Sequence, residues 1–343
     1  MDVRDEKLAN LIIKYSLRVK PGNTVLIRGG KVAEPLLKAL YQEVLDSGGH
    51  PFLWTEYDWS EEMLLRLGNE DQITYIQKPA QIFFGEFDRL IRVRAEENTK
   101  VLNNVDSEKF TRYTQARGPL MDTYMARSAS GALNWAVTMY PTNAYAQDAD
   151  MSLDDYANFL YGACMPDLND PIGYWQRVSE RQERIIKWLE GKKNVHLLGK
   201  GTDLRLSIEG RRFINCDCRV NIPDGEIFTG PVEDSIEGHV SFSYPTIYHS
   251  REVTGVRLEF KKGRVVKASA DKNEEFLLKT IDTDEGARGV GEFAIGTNEG
   301  IRQFTRQILF DEKIGGSFHM ALGKGYPESG SKAQSSIHWD MIC

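Results

Sequence analysis

Strand-like and helix-like patterns alternate along the first half of the chain. An apolar run at Thr24 to Arg28 ends at two glycines, and apolar residues then recur at helical spacing from Leu36 to Leu45. A second apolar run follows at Pro51 to Trp54. Strand, helix and strand in this order predict a βαβ unit, which builds a parallel sheet through a right-handed crossover.

The same alternation continues toward the middle of the chain. Further short apolar runs occur at residues 81–84 and 134–138, with helical stretches near 61–67 and 154–161. We therefore predict an α/β N-terminal domain with a parallel or mixed sheet and flanking helices.

A long amphipathic stretch from Ile172 to Leu189 closes this half of the chain, and Gly191 follows it. We predict the domain boundary here, with an α/β domain at residues 1–190 and a second domain at residues 191–343. Beyond the boundary, short segments alternate apolar and polar residues, as expected for half-buried antiparallel strands.

Two local signals refine the second domain. The turn at residues 261–264 predicts a hairpin, and Asp271 with Glu274 predicts a helix start with capping-box spacing, the helix running to about Thr283. The predicted second domain is β-rich α+β.

Composition narrows the function classes. The chain has 343 residues, 41% hydrophobic and 27% charged, with a net charge of -7, so it has no basic surplus to neutralise nucleic-acid phosphates. Charges interrupt the apolar positions of the first twenty residues, and no apolar run is long enough to span a bilayer. We expect a cytoplasmic protein that binds neither nucleic acid nor membrane.

The four cysteines are few and irregularly spaced, which suits a reducing compartment. Cys216 and Cys218 form a C-x-C pair that could bind a metal, but no second Cys or His pair flanks it. The favoured interpretation is two positions on the same face of a strand.

Side chains that bind metals are concentrated near the C-terminus. Glu292, His319 and Tyr326 precede the triplet that runs from His338 to Asp340, in glycine-rich, strand-like surroundings. His338 and Asp340 are two residues apart, so on a strand both point to one face and Trp339 to the other. This density makes a divalent-metal site the first functional hypothesis.

The G-x-G spacing in GVGEFAIG superficially suggests a dinucleotide-binding turn. No third glycine opens a helix at the required distance, and a strand that carries Glu292 explains the glycines better. No nucleotide cofactor is expected.

Five blocks carry a family resemblance. They read GTDLRLSIEGR, NIPDGEIFTGPVEDSIEG, GVGEFAIGTN, LFDEKIGGSFHMALGKGY and SSIHWDMI, in that order along the second half. They resemble the C-terminal half of the thermophilic aminopeptidases, the M29 metallopeptidases. The resemblance implies a metal-dependent aminopeptidase with two divalent ions, which would be zinc, cobalt or manganese.

The resemblance also implies a set of metal ligands. In that family six residues hold the metal pair, and their counterparts here are Glu226, Glu292, His319, Tyr326, His338 and Asp340. The segment between Tyr326 and His338 is shorter than in better-known members, which suggests a reduced loop at the substrate pocket.

Family chemistry suggests further roles. A metal-bound water attacks the first peptide bond while a metal polarises its carbonyl, and a carboxylate moves the proton to the leaving amine. Glu312 is the candidate general base, although it could equally pair with Lys313 or cap a turn. Tyr326 could be a metal ligand or donate a hydrogen bond to the developing oxyanion. Family members are dimers that take small peptides, which the resemblance implies here as well.

Two other functions remain open at this point. His319, His338 and Asp340 could form the two-His-one-carboxylate face of a mononuclear iron(II) ring-cleaving dioxygenase, a class related in fold to this family. Glu226, Glu292 and Tyr326 together favour the two-metal peptidase. A peptide-binding protein without catalysis is disfavoured because all six counterparts are present.

Overall fold

The structure is a computed structural model that describes residues 2–249 and 251–343. The chain forms two compact units. The first extends to Ile172 and includes Cys218–Pro223, and the second consists of Gly173–Asp217 and Asp224–Cys343. This division lies earlier than the sequence-based boundary at residue 190.

The first unit contains a five-stranded sheet in the order β2-β1-β3-β4-β8, and every pair in it is parallel. Its elements, labelled in chain order, are α1 (Val3–Asn10), β1 (Thr24–Gly30), α2 (Glu34–Asp46), β2 (His50–Glu56), α3 (Asp58–Leu67), α4 (Glu70–Thr74), α5 (Lys78–Glu86), β3 (Arg89–Arg94), α6 (Ser107–Ala116), α7 (Gly118–Ala129), β4 (Asn134–Met139), α8 (Asn143–Asp148), α9 (Leu153–Cys164) and the later strand β8 (Asn221–Ile222).

The predicted βαβ unit is confirmed by β1, α2 and β2. Val25, Leu26 and Ile27 of β1 are fully buried, as expected for a strand of a parallel sheet covered on both faces. Gly29 continues the strand rather than ending it. A Cβ atom there would lie 2.9 Å from the carbonyl oxygen of Val93 on β3, so the close strand contact requires glycine.

Two further apolar runs have different outcomes. Residues 134–138 form β4, but residues 81–84 lie in helix α5, where Pro79 occupies the first turn and Phe83 is buried while Ile82 is exposed. The spacing of buried residues is that of a helix. A short apolar run in the sequence cannot by itself distinguish a helix from a strand. Strand β3 was not predicted, because three arginines interrupt its apolar residues.

The second unit begins with a long helix and is otherwise mostly strands. Its elements are α10 (Pro171–Leu189), β5 (Asn194–Gly199), β6 (Thr202–Ser207), β7 (Ile214–Cys216), β9 (Glu226–Thr229), β10 (Glu237–Ser241), β11 (Thr246–Tyr248), β12 (Arg251–Val253), β13 (Arg257–Lys261), β14 (Arg264–Ser269), α11 (Glu274–Ile281), β15 (Val290–Gly296), α12 (Ile308–Asp311), β16 (Phe318–Gly323) and β17 (His338–Ile342).

Helix α10 lies in the second unit because its contacts are there. Leu189 is buried in the core of this unit, and the Gln182 amide donates to the backbone carbonyl of Cys216 at 3.0 Å. Its side-chain oxygen accepts a hydrogen bond from the Thr297 hydroxyl at 2.6 Å. The amphipathic pattern predicted the helix correctly. It did not indicate that the helix packs in the core of the second unit.

Antiparallel strands form the second unit as predicted. One sheet has the order β14-β13-β10-β6-β5 and the other the order β17-β16-β15-β9-β7, and β11 pairs with β12 in a separate ribbon. Apolar side chains of both sheets and of α11 share one core, including Leu204, Val240, Leu258, Leu277, Phe293, Met320 and Trp339. The predicted fold class, an α/β domain followed by a β-rich α+β domain, is confirmed.

Two local predictions are wrong. Helix α11 has Asn273 as its N-cap residue, while Asp271 pairs instead with Arg257 at 2.9 Å. Strand β7 ends at Cys216, and Cys218 has a left-handed backbone (φ 70°), so the two cysteines are not on one strand face. Among the described residues, no helix is both long and apolar enough to cross a bilayer.

Candidate metal centre

The sheet β17-β16-β15-β9-β7 has two chemically different faces. Side chains alternate along a strand, and cross-strand partners point to the same side. The register pairs Gly296 with Glu226, Ala321 with Glu292 and Ala321 with Asp340. The candidate residues therefore share one face, on which the small residues between them leave space.

The opposite face anchors the site. Phe293, Met320, Trp339 and Met341 alternate with the candidate residues and are buried in the core. The Trp339 indole N–H donates to the Thr246 hydroxyl at 2.6 Å, so its polar group is satisfied. The predicted arrangement of His338 and Asp340 on one face with Trp339 on the other is confirmed.

One irregularity positions Glu292. The register between β15 and β16 shifts between Val290 and Glu292, where Gly291 is the extra residue of a bulge. A Cβ atom at Gly291 would lie 2.2 Å from the carbonyl oxygen of Lys324. Only glycine permits this approach, which brings Glu292 next to the chain that follows β16.

The carboxylate of Glu292 lies between the two imidazoles. Its Oε1 atom is 3.5 Å from Nε2 of His319, and its Oε2 atom is 3.4 Å from Nε2 of His338. On the outer sides, Glu226 Oε2 lies 3.5 Å from His319 Nε2, and Asp340 Oδ1 lies 3.5 Å from His338 Nε2. The five side chains form a continuous row.

Both imidazoles are oriented by backbone carbonyl groups. Nδ1 of His319 is 2.9 Å from the carbonyl oxygen of Glu312, and Nδ1 of His338 is 2.8 Å from that of Lys324. Because a carbonyl oxygen only accepts, Nδ1 is the donor in each ring and Nε2 faces the carboxylates. Metal-binding histidines are held by this kind of hydrogen bond.

Charge is concentrated in the row. Burial alone would lower the pKa of His319, but Glu292 and Glu226 raise it to about 10. Burial alone would also lower the pKa of His338, but Asp340 and Glu292 raise it to about 9. Burial raises the pKa of the Glu226 carboxyl well above its usual range, with Lys313 acting in the opposite direction. Three carboxylates in a buried site favour the binding of cations.

The donor atoms form compact groups. Glu226, Glu292 and His319 each offer an atom within 4.8 Å of the others, and so do Glu292, His338 and Asp340. A third group contains Glu312, His319 and Asp340, and a fourth contains Cys216, Asp224 and Glu226. Among the described residues, no such group contains both imidazoles.

Two buried oxygens support the fit to a metal. Glu226 Oε2 and Asp340 Oδ1 are inaccessible to solvent and make no hydrogen bond. A buried polar atom without a hydrogen bond is costly, and coordination of a cation would satisfy it. Carboxylate and imidazole donors are ligands that zinc, cobalt and manganese accept, so the residues fit the metals that the sequence resemblance implies.

Tyr326 lies beside the row rather than on a strand. It follows β16 through Gly323 to Gly325, and its ring centre is 5.2 Å from that of His338 and 5.3 Å from that of Phe228. The residue as a whole is 40% exposed. Burial of the phenol, followed by the nearby carboxylates, raises its pKa, so Tyr326 keeps its proton at neutral pH.

Glu312 and Lys313 form an ion pair at the edge of the row. The Lys313 ammonium contacts a Glu312 carboxylate oxygen and lies 3.8 Å from Glu226 Oε1. Sequence reasoning treated Lys313 only as a possible partner of Glu312 and missed its burial. Asp224, which lies two residues before Glu226, is also buried. The adjacent charges in EKIGG indicated the ion pair but not its burial.

A family comparison identifies the class of protein. The chain matches the thermophilic metalloprotease (M29) family over residues 2–343 and belongs to it. It is therefore a member of a metallopeptidase family of hydrolases, and the recognition made from five sequence blocks is confirmed.

Two relatives of similar length carry aminopeptidase names. Aminopeptidase 2 of Geobacillus stearothermophilus is 26% identical, over 94% of this chain and 84% of that protein. Aminopeptidase T of Thermus thermophilus is 25% identical, over 94% and 85% of the two chains.

Solved structures show the same fold. Wild-type AmpT from Thermus thermophilus has a TM-score of 0.81 at 24% identity, covering 98% of this chain and 92% of that one. The 2,5-dihydroxypyridine dioxygenase from Pseudomonas putida KT2440 has a TM-score of 0.57 at 13% identity, covering 98% and 91%. At these identities the likeness concerns fold alone.

Proposed function

We propose that the chain is a metal-dependent aminopeptidase that removes the N-terminal residue of small peptides with two divalent ions. The observation that carries the proposal is the sharing of Glu292 by two donor groups, one with Glu226 and His319 and the other with His338 and Asp340. The aminopeptidase names of the relatives support the reaction type.

Each proposed ligand has a role that its position supports. Glu292 offers one oxygen to each group and is the candidate bridging ligand, while Tyr326 adds a phenol oxygen near His338. When bound, the ions would supply a water that ionises near neutral pH and would polarise the peptide carbonyl.

Two side chains are proposed to assist the reaction directly. Glu312 would accept a proton from the attacking water and pass it to the leaving amine, since its carboxylate lies within 4.8 Å of donor atoms of His319 and Asp340. Tyr326 retains its proton and can donate a hydrogen bond to the peptide carbonyl oxygen. Its oxygen can alternatively coordinate a metal.

The preference for a free N-terminus rests on the aminopeptidase names of the relatives. The proposal includes a homodimer, because the family resemblance implies one. Light scattering of the protein in solution measures its molecular mass and so tests this part of the proposal.

Metal reconstitution tests the proposal. Chelator-treated protein is reloaded with zinc, cobalt or manganese, bound ions are counted by elemental analysis, and turnover of aminoacyl amides and dipeptides is measured. We expect about two ions per chain and hydrolysis of free dipeptides but not of their N-acetylated controls. Failure of every reloaded form to cleave any free dipeptide contradicts the proposal.

Reloading the same chelator-treated protein with iron(II) and measuring oxygen consumption tests the dioxygenase alternative. That alternative needs His319, His338 and Asp340 around one iron, yet no group of donors within 4.8 Å in the described part of the chain includes both imidazoles. One tightly bound iron per chain together with oxygen consumption would support the dioxygenase instead.

A further inference from the structure

Lys313 is a fully buried lysine at the edge of the candidate metal centre. Its side chain is 0% exposed, and its ammonium contacts the carboxylates of Glu312 and Glu226. A buried charge is strongly unfavourable unless it is paired, so these contacts hold the ammonium where it is. Proteins rarely bury lysine completely, which calls for a functional explanation.

The backbone around Lys313 fixes this position. Its N–H donates to the carbonyl oxygen of Phe310 at 3.0 Å, and its own carbonyl accepts from the N–H of Asn298 at 3.1 Å. Glu312 is the adjacent residue, and its carbonyl oxygen orients His319. One short segment therefore carries the candidate base, its cationic partner and the group that orients a metal ligand.

Glu312 is also close enough to become a metal ligand. One of its oxygens lies within 4.8 Å of a ring nitrogen of His319 and of an oxygen of Asp340. Coordination would engage the lone pairs that a base uses to accept a proton. A site that needs Glu312 as a base must therefore keep it off the ions.

We propose that Lys313 is a positioning residue that holds the Glu312 carboxylate in an ion pair and so excludes it from the metal coordination set. This inference rests on the proposed function. It adds that Glu312 acts as a base while the other carboxylates of the site bind the ions. Lys313 also faces Oε1 of Glu226, whose Oε2 faces His319, so one oxygen of Glu226 is directed to the ions.

Cobalt(II) titration of the full chain tests the inference with a readout other than activity. Lys313→Met removes the ammonium and keeps a side chain of similar length. We expect Co²⁺, measured alone by chelator competition, to bind about tenfold more tightly, the range of effects of outer-shell groups on metal affinity. The visible Co²⁺ spectrum should change because a new oxygen ligand joins, while kcat falls about a hundredfold with a smaller change in KM.

Companion variants isolate the cause. Lys313→Arg retains the charge and should keep most of the wild-type spectrum and kcat. In the double variant Lys313→Met with Glu312→Gln, the spectrum should return toward wild type. Glu312→Gln alone should leave Co²⁺ affinity within about twofold of wild type, because Glu312 is not a ligand when Lys313 is present.

Several results would overturn the inference. One is weaker Co²⁺ binding by folded Lys313→Met. Another is a Co²⁺ spectrum that does not change in this variant, which would mean that tighter binding comes only from the loss of charge repulsion and not from a new ligand. If Lys313→Met does not fold, a loss of Co²⁺ affinity in Glu312→Gln overturns it equally. Failure of the proposed function is distinct, since it appears in the wild-type chain as absent Co²⁺ binding or absent peptide hydrolysis.

Discussion

His319 and His338 face the two different oxygens of one carboxylate, that of Glu292, at 3.5 and 3.4 Å from their Nε2 atoms. The imidazoles lie on neighbouring strands, β16 and β17, and each is oriented through Nδ1 by a backbone carbonyl. This arrangement gives two donor groups with one common member. Glu292 is therefore the residue on which both proposed ions depend.

Glu292→Gln should reduce binding of both ions, because the amide removes the negative charge shared by the two donor groups. Glu226→Gln and Asp340→Asn should each weaken mainly one ion, since each residue belongs to only one of those two groups. Isothermal titration with Co²⁺ measures both sites, and the exposed Glu328→Gln is the matched control. Equal losses in all three site variants would contradict the bridging role.

His338→Ala should lower kcat by at least about a hundredfold, because the second donor group loses its nitrogen ligand. The side chain is 27% exposed, and its removal leaves the buried face of β17 intact, so the fold should be retained. Circular dichroism checks the fold, and elemental analysis checks the metal content. Retained turnover in the folded variant would show that His338 is not a ligand.

Gly291→Ala should damage the site indirectly. The added Cβ would meet the Lys324 carbonyl oxygen at 2.2 Å, and that carbonyl orients His338. We expect a stability loss of about 1–3 kcal/mol together with weaker Co²⁺ binding. Gly162→Ala is the control, since a Cβ there meets nothing within 4 Å and the residue lies in helix α9. Normal Co²⁺ affinity in Gly291→Ala would show that the bulge at Gly291 is not needed to position the metal ligands.

Asp311 should make stability depend on pH. Burial raises the pKa of its carboxyl to about 7, against the hydrogen bonds from Thr305. Because the folded-state pKa lies above the unfolded value, this group contributes most stability below about pH 4 and loses it as the pH rises through 7.

Asp311→Asn removes this titration and can still accept from Thr305. The Tm of the variant minus the Tm of the wild type should therefore be larger at pH 8 than at pH 5. Calorimetry of both proteins at the two pH values measures this Tm difference. The surface carboxylate variant Glu275→Gln should show no such change, since Glu275 is exposed and pairs with the exposed Lys279. A difference in Tm that is the same at both pH values contradicts the role of Asp311.

The parts of the fold that sequence predicted are those with short-range patterns. Helix α2 and the β-hairpin β13–β14 follow from spacing and turn residues within a few positions. His338 and Asp340 share a face because two residues on one strand must. These relationships depend on local backbone geometry alone.

The remaining features depend on long-range pairing. Glu226 faces the site only because β9 pairs with β15 in a particular register, and no spacing between residues 226 and 292 encodes that register. Likewise, α10 has an apolar face that fits any core, and only its contacts assign it to the second unit. The concentration of donor side chains near the C-terminus indicated five of the six candidate ligands, and the family resemblance added Glu226.

Anomalous diffraction from crystals of the Co²⁺-loaded chain is the most direct test of the central claim. We predict two cobalt peaks, one bounded by Glu226, Glu292 and His319 and the other by Glu292, His338 and Asp340. A single peak ligated by both imidazoles, or cobalt bound away from this sheet face, would contradict the account.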